Sequence, residues 1–235
     1  MLEIRDLSVS YGAVRAVRNV SVTAMPGRIT AIFGANGAGK SSVIRAIVGL
    51  APSTGRIIMG DHELGGLSPD RRAALGLGCV LEGRRLFRDL TVEENLRVAW
   101  SFGRRREPFE TMRDAAYGHF PILGQKRHVA AGLLSGGQQQ MLIISSTMIR
   151  SPDCILLDEP SLGLAPVIVQ QVFEFIVETN RSRKTTTLVT EQVAALGLRI
   201  ADYGYVMRQG ETVLEGDKAS LLALQNSQKL AEAYL

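Results

Sequence analysis

The chain has 235 residues, 46% of them hydrophobic and 21% charged, with a net charge of +4. That length supports one large globular domain or two small ones, and the composition excludes a disordered or fibrous chain. No apolar run approaches the roughly 18 to 20 residues that cross a bilayer, and the start MLEIRDLSV carries acid where a secretory leader has a basic head, so a cytosolic protein is expected. From the N-terminus, LEIRDLSVSY and RNVSVTAM alternate by twos around turns at Gly12 and Pro26-Gly27, and read as antiparallel strands. RITAIFG reads as a buried strand, and KSSVIRAIVGL as a helix with apolar Val43, Ile44, Ile47 and Val48. Ser68 to Leu75 is a short helix opened by Ser68 and Pro69, and Leu77 to Leu81 is a strand. Between about Leu90 and Arg150 the pattern turns helical (TVEENLRVAWSF, EPFETMRDAAYGHF, SGGQQQMLIISSTMIR), and strands return with CILLD, TTTLVT and YGYVMRQGETVLEG. Strands alternating with helices predict an α/β fold with an N-terminal antiparallel part, its core formed by 1–85 and 151–235 around an α-helical insert at about 86–150.

Two cysteines, Cys79 and Cys154, sit in short apolar runs and are read as buried and reduced. Arginines bunch at Arg71-Arg72, Arg84-Arg85 and Arg104-Arg105-Arg106; a basic excess this small reads as solvated surface, with contact to nucleic acid or anionic lipid left open.

Between the third strand and its helix, Gly34-Ala35-Asn36-Gly37-Ala38-Gly39-Lys40-Ser41 fits G-x-x-x-x-G-K-[ST]. Glycines let backbone N–H groups turn around a phosphate, the helix start adds partial positive charge, Lys40 reaches the outer phosphates, and the Ser41 hydroxyl coordinates Mg²⁺. With a strand before and a helix after, this motif predicts a P-loop NTPase core that binds a nucleoside triphosphate. CILLDEP supplies the acidic strand end such a site needs: Asp158 to hold Mg²⁺ through water, and Glu159 to polarise the water that attacks the γ-phosphate. Alone, an apolar run ending in two acids is an ordinary strand end; beside the phosphate loop it becomes half of a site. Leu134-Ser135-Gly136-Gly137-Gln138 opens a helix, with Ser135 suited to the N-cap and two glycines leaving amides open to an anion.

Lying roughly 20 residues before the Asp158 strand, that last motif resembles the signature of ABC transporter ATPase subunits. SYGAVRAV, GANGAGKSS, LEGRRLF, LTVEENL, LSGGQQQML, LDEPSLGLAP, VTEQ and the ending AEAYL extend the resemblance over essentially the whole chain, toward the second ATPase subunit of the branched-chain amino-acid importers. The resemblance implies a RecA-like core, ATP and Mg²⁺ as ligands, and ATP hydrolysis coupled to uptake. It implies that Tyr11 stacks on adenine, that residues 34 to 41 and Ser42 bind the phosphates, and that Glu82 joins Ser41 and Asp158 at the metal. Two cassettes pack head to tail in such proteins, so Ser135, Gly136, Gly137 and Gln138 would serve the partner's ATP. The implied partners are a second, different ATPase subunit (or a second copy in isolation), two membrane permease subunits contacted through the helical insert and Glu82-Gly83-Arg84-Arg85, and, indirectly, an external binding protein. A position on the cytosolic face of the membrane follows.

Three positions depart from the common pattern: Glu82 where glutamine is usual, Leu164 where the loop after the acid usually ends in aspartate, and Gln192 where most of the family has histidine. Gln192 can donate a hydrogen bond to the γ-phosphate but cannot become a cation. In the helix after the signature, Ile144-Ser145-Ser146-Thr147 replaces the usual alanine-rich run with an arginine. Urea, short amides and aromatic acids stay open as cargo. Two readings rival an importer ATPase: a weakly hydrolysing nucleotide-binding partner, suggested by Gln192, Glu82 and Leu164 but opposed by Glu159, and an ABC protein acting on ribosomes or DNA. The second is disfavoured because a single cassette is present and no aromatic and basic residues interleave as on a nucleic-acid surface.

Overall fold

The computed structural model describes residues 1–83, 85–104 and 107–226; Arg84, Arg105, Arg106 and the ending AEAYL lie outside the described residues. Strands β1 (Leu2–Tyr11) and β2 (Val14–Ala24) meet at Gly12 and pair antiparallel from Leu2↔Ala24 to Tyr11↔Val14. Their alternation buries Leu2, Ile4, Leu7, Val9, Val17, Val20 and Val22 on one side. The wholly buried β3 (Ile29–Phe33) leads through the glycine-rich loop into α1 (Lys40–Val48). Next, β4 (Ser53–Met59) and β5 (His62–Glu63) complete a four-stranded antiparallel sheet in the order β2-β1-β4-β5.

After α2 (Pro69–Ala74) and β6 (Leu77–Val80) comes a helical stretch: α3 (Val92–Ser101), α4 (Phe109–His119), α5 (Pro121–Gln125), a 3-10 turn at Ala131–Leu133, and α6 (Gly136–Met148). Thr91 starts α3 with a reciprocal cap, its backbone N–H donating to Glu94 Oε2 at 2.7 Å and its Oγ1 accepting from the Glu94 N–H at 3.2 Å. Strands then alternate with helices: β7 (Cys154–Asp158), α7 (Pro166–Arg183), β8 (Thr186–Glu191), α8 (Ala194–Gly197), β9 (Tyr203–Arg208), β10 (Glu211–Asp217) and α9 (Lys218–Asn226). The second sheet runs β10-β9-β3-β8-β7-β6, parallel throughout except at the β10 edge.

The central strands divide the core by their period of two. Ile32, Leu156 and Leu188 face α1 and the antiparallel sheet, where they join Ile44, Ile47 and Ile57. Ala31, Phe33, Ile155, Leu157 and Val189 face the other way and join Leu96, Phe120, Met141, Leu142 and Ile176 of the helices. Burial on both faces explains why these strands read as continuous apolar runs. The architecture is the α/β P-loop fold with an antiparallel β part and a helical insert that the sequence predicts.

Two expectations need correction. Arg72 is not solvated surface: it is 6% exposed, and its Nη1 donates to the carbonyls of Ala46 at 2.7 Å and Ile47 at 2.8 Å, its Nε to that of Leu67 at 2.9 Å. Together with the Gly49 N–H, which donates to the Ala46 carbonyl at 3.1 Å, it satisfies the last carbonyls of α1. Cys154 is buried and its thiol pKa is pushed up to about 12 by that burial, but Cys79 is only partly covered; both thiols are free. Among the described residues no helix is long and apolar enough to cross a membrane.

Candidate functional site

The loop from Gly34 to Gly39 is shaped by what surrounds it. A Cβ on Gly34 would lie 2.4 Å from the Met207 carbonyl oxygen, and one on Gly39 would lie 2.5 Å from that of Ala16. Gly34 and Gly39 also have φ of 158° and 103°, values that side chains other than hydrogen rarely tolerate. Backbone from β9 and from β2 therefore presses the loop into one path. Asn36 and Gly37 form its rim, while Ala38 tucks inward, 5% exposed, and its carbonyl accepts from the Gly210 N–H at 3.0 Å. Helix α1 begins with no side-chain cap and no acid in its first turn, so its positive end faces the loop uncompensated. Lys40 is 3% exposed; its Nζ donates to the Gly34 carbonyl at 2.8 Å and the Ala35 carbonyl at 3.1 Å, and lies 3.0 Å from Glu159 Oε1.

Opposite the loop, β7 ends in Asp158, which is 3% exposed. Its Oδ1 accepts from Ser41 Oγ at 3.0 Å and Thr190 Oγ1 at 2.7 Å, whereas its Oδ2 is buried with no hydrogen-bond partner. Glu159 follows in the left-handed region, φ 47°, and its N–H donates to both the carbonyl and Oγ1 of Thr190, each at 3.1 Å. Parallel pairing sets the level: Asp158 is opposite Thr190, and Phe33 is opposite Glu191. The phosphate loop, the Asp158-Glu159 turn and Gln192 therefore all leave the sheet at its carboxyl edge, where open α/β sheets place ligands.

Tyr11, Ala16, Asn36, Gly37, Gly39, Lys40, Ser41, Ser42, Glu82, Glu159 and Leu162 line one cleft of about 480 Å³. A neighbouring cleft of about 460 Å³ shares Glu82, Glu159 and Leu162 and adds Asp158, Gln139 and Gln140. Tyr11 stands 41% exposed at the mouth of the first, a ring free to cover a flat ligand. Gln192 lines neither cleft; it is half-buried just past the end of β8. The signature residues are elsewhere: Ser135 caps α6, its Oγ accepting from the Gln138 N–H at 3.4 Å, and Gln138 Oε1 accepts from the Ser135 N–H at 3.2 Å and Lys126 Nζ at 3.1 Å. Ser135, Gly136, Gly137 and Gln138 line neither cleft around the phosphate loop.

Sequence reasoning gave no role to Thr190 or Glu191. Glu191 is 2% exposed, and burial pushes its carboxyl up to about 7 against two bonds from Ser161 that pull it down. Two consecutive polar residues at the end of an apolar strand were the available signal, since a strand buried on both faces exposes neither and each then needs a polar partner.

A family model described as ABC transporter matches residues 17–162. The high-affinity branched-chain amino acid transport ATP-binding protein BraG of Pseudomonas aeruginosa is 39% identical, over 100% of this chain and 99% of that protein. The probable branched-chain amino acid transport ATP-binding protein LivF of Archaeoglobus fulgidus is 32% identical over 98% of each. The crystal structure of an ATP-binding cassette of an ABC transporter in its ADP conformation has a TM-score of 0.85 and 25% identity, covering 100% of this chain and 98% of that one. A match to such proteins along nearly all of both partners, in sequence and in fold, leaves one assignment: this chain belongs to the ABC transporter family, as one of its ATP-binding cassettes.

Proposed function

We propose that the protein is the ATP-hydrolysing subunit of an importer for branched-chain or related hydrophobic amino acids, seated on the cytosolic face of the membrane. The cargo is inferred from the relatives BraG and LivF, which are named as branched-chain amino acid transport proteins. The observation that carries the hydrolytic role is the convergence of Lys40, Ser41, Asp158 and Glu159, tied by contacts of 3.0 Å from Ser41 Oγ to Asp158 Oδ1 and from Lys40 Nζ to Glu159 Oε1. Lys40 is the cation that the β- and γ-phosphates would take over from Glu159, freeing that carboxylate to order the attacking water. The amides of the loop and of the first turn of α1 would hold the phosphates, with Ser42 on the same turn. Tyr11 would cover adenine.

The donor set also fits Mg²⁺. Among the described residues there is no cluster of three or more His, Cys, Asp or Glu that could cage a metal. A hard cation shared with phosphates needs few protein ligands, and the unpartnered Asp158 Oδ2 beside the Ser41 hydroxyl offers oxygen donors, with Glu82 across the cleft. Bound there, Mg²⁺ supplies charge that neutralises the oxygens of the transferring phosphoryl group. Gln192 would donate to the γ-phosphate from an uncharged amide, a contact without the second charge that a protonated histidine brings. The signature residues would complete the ATP site of a second cassette, and the helical insert with Arg85 would meet two permease subunits. Hydrolysis is tested by Glu159→Gln, which should keep ATP affinity and lose at least about 10²-fold in turnover within the assembled transporter. Turnover near that of the unmodified protein would remove Glu159 from its role.

A further inference from the structure

The end of β8 carries two buried polar side chains, Thr190 and Glu191, to which the proposed function assigns no role. Thr190 is 0% exposed and Glu191 2%. A buried carboxylate is costly unless its oxygens are hydrogen-bonded, so its presence where an apolar residue would pack calls for a specific partner. That partner is Ser161: Glu191 Oε1 accepts from the Ser161 N–H at 3.2 Å, and Oε2 from Ser161 Oγ at 2.7 Å. Thr190 grips the same turn from its other side, taking the Glu159 N–H on its carbonyl and on Oγ1. Only Pro160 separates the two anchored residues, Glu159 and Ser161, and Glu159 itself sits at φ 47°, a conformation that a non-glycine residue keeps only when its surroundings hold it there. The carboxylate so held reaches 3.0 Å from Lys40 Nζ, on the wall of the phosphate cleft.

We propose that Glu191 is a positioning residue for hydrolysis: its carboxylate clasps Ser161 and, together with Thr190, fixes the turn that aims Glu159 into the phosphate cleft, an assignment that rests on Glu159 ordering the water. Because the clasp joins the turn after β7 to the residue just before Gln192, it also ties two parts of the γ-phosphate edge to each other. It touches neither the phosphate loop nor the adenine side, so its loss separates turnover from nucleotide affinity.

The test measures ATP affinity, kcat and thermal midpoint of the full chain, with turnover read in its assembled transporter. Glu191→Ala should lower kcat by about 10²-fold, the scale of a misplaced reacting group, while ATP affinity stays within roughly twofold. Glu191→Gln should keep kcat within about threefold, because the amide oxygen still accepts from the Ser161 N–H and the amide nitrogen donates to Ser161 Oγ. A near-normal kcat in Glu191→Ala, a parallel loss of affinity and turnover, or a Gln variant as impaired as the Ala variant would each overturn the clasp. Should Glu191→Ala not fold, Ser161→Ala, which removes one of the two bonds, should lower kcat about tenfold at unchanged affinity, and a normal kcat there counts against the clasp. Glu159→Gln, measured alongside, separates the two claims: if it retains turnover, the water-ordering role fails by itself, and if it is inactive while Glu191→Ala is not, the clasp alone fails.

Discussion

Glu191 has a consequence for stability that is independent of catalysis. Burial is the main cause of its raised pKa; the Glu159 charge adds to the rise, while the Ser161 bonds and the Lys40 charge oppose it. The carboxyl titrates near 4.5 when exposed and near 7 when folded. The folded state therefore binds the proton more tightly, and stability from this group is fully present below the lower value and is lost as pH rises through the upper one. Between pH 5 and 8 the loss amounts to roughly 2 to 3 kcal/mol. Glu191→Gln cannot ionise, so urea unfolding at the two pH values should show the Gln variant gaining on the unmodified protein by about that amount as pH rises. A constant difference across the range would mean that Glu191 is ionised in the folded protein well below neutrality.

At the scale of elements, the ring of Phe33 shows how closely the strand that launches the phosphate loop is packed. A Cβ on Gly204 of β9 would lie 2.6 Å from Phe33 Cε2, and one on Gly197 of α8 would lie 2.5 Å from Cε1. The ring fills the space two glycines leave, and it has no direction in which to yield because Phe33 is fully buried. Gly204→Ala should therefore cost about 1 to 3 kcal/mol of overpacking, read as a lower unfolding midpoint. The elements that pack this way were mostly legible: β3, β7 and β8 as apolar runs, α3 as the helical stretch TVEENLRVAWSF, and α6 from Ser135 at its cap. By contrast, β4 was not, because Ser53 to Arg56 are exposed and give a period of neither two nor 3.6; its pairing with β1 decides its state. The site divides in the same way. The glycine loop, Lys40 and Ser41 were legible from one local motif and Asp158-Glu159 from an apolar run ending in two acids, whereas the contact between Glu191 and Ser161 joins residues without a motif and depends on the register of two parallel strands. Arg72 reads as surface for the same reason: two of its three carbonyl partners lie 25 and 26 positions away.

For the molecule as a whole, the separation of the signature from the phosphate loop is the decisive arrangement. Ser135 is exposed at the start of α6, and neither it nor Gly136, Gly137 or Gln138 lines the clefts around Lys40. A motif that opens helix amides to an anion, yet lies away from the anion site of its own chain, fits the site of another cassette. Gly136→Asp tests this with little risk to folding, because an acid in the first turn of α6 is favourable to the helix while it repels a phosphate presented to that turn. ATP affinity of the isolated chain should stay within roughly twofold, whereas turnover in the assembled pair should drop by about 10²-fold or more, the equivalent of the several kcal/mol that like charges cost at an interface. Loss of ATP affinity in the isolated chain would instead show that the signature serves this chain's own nucleotide.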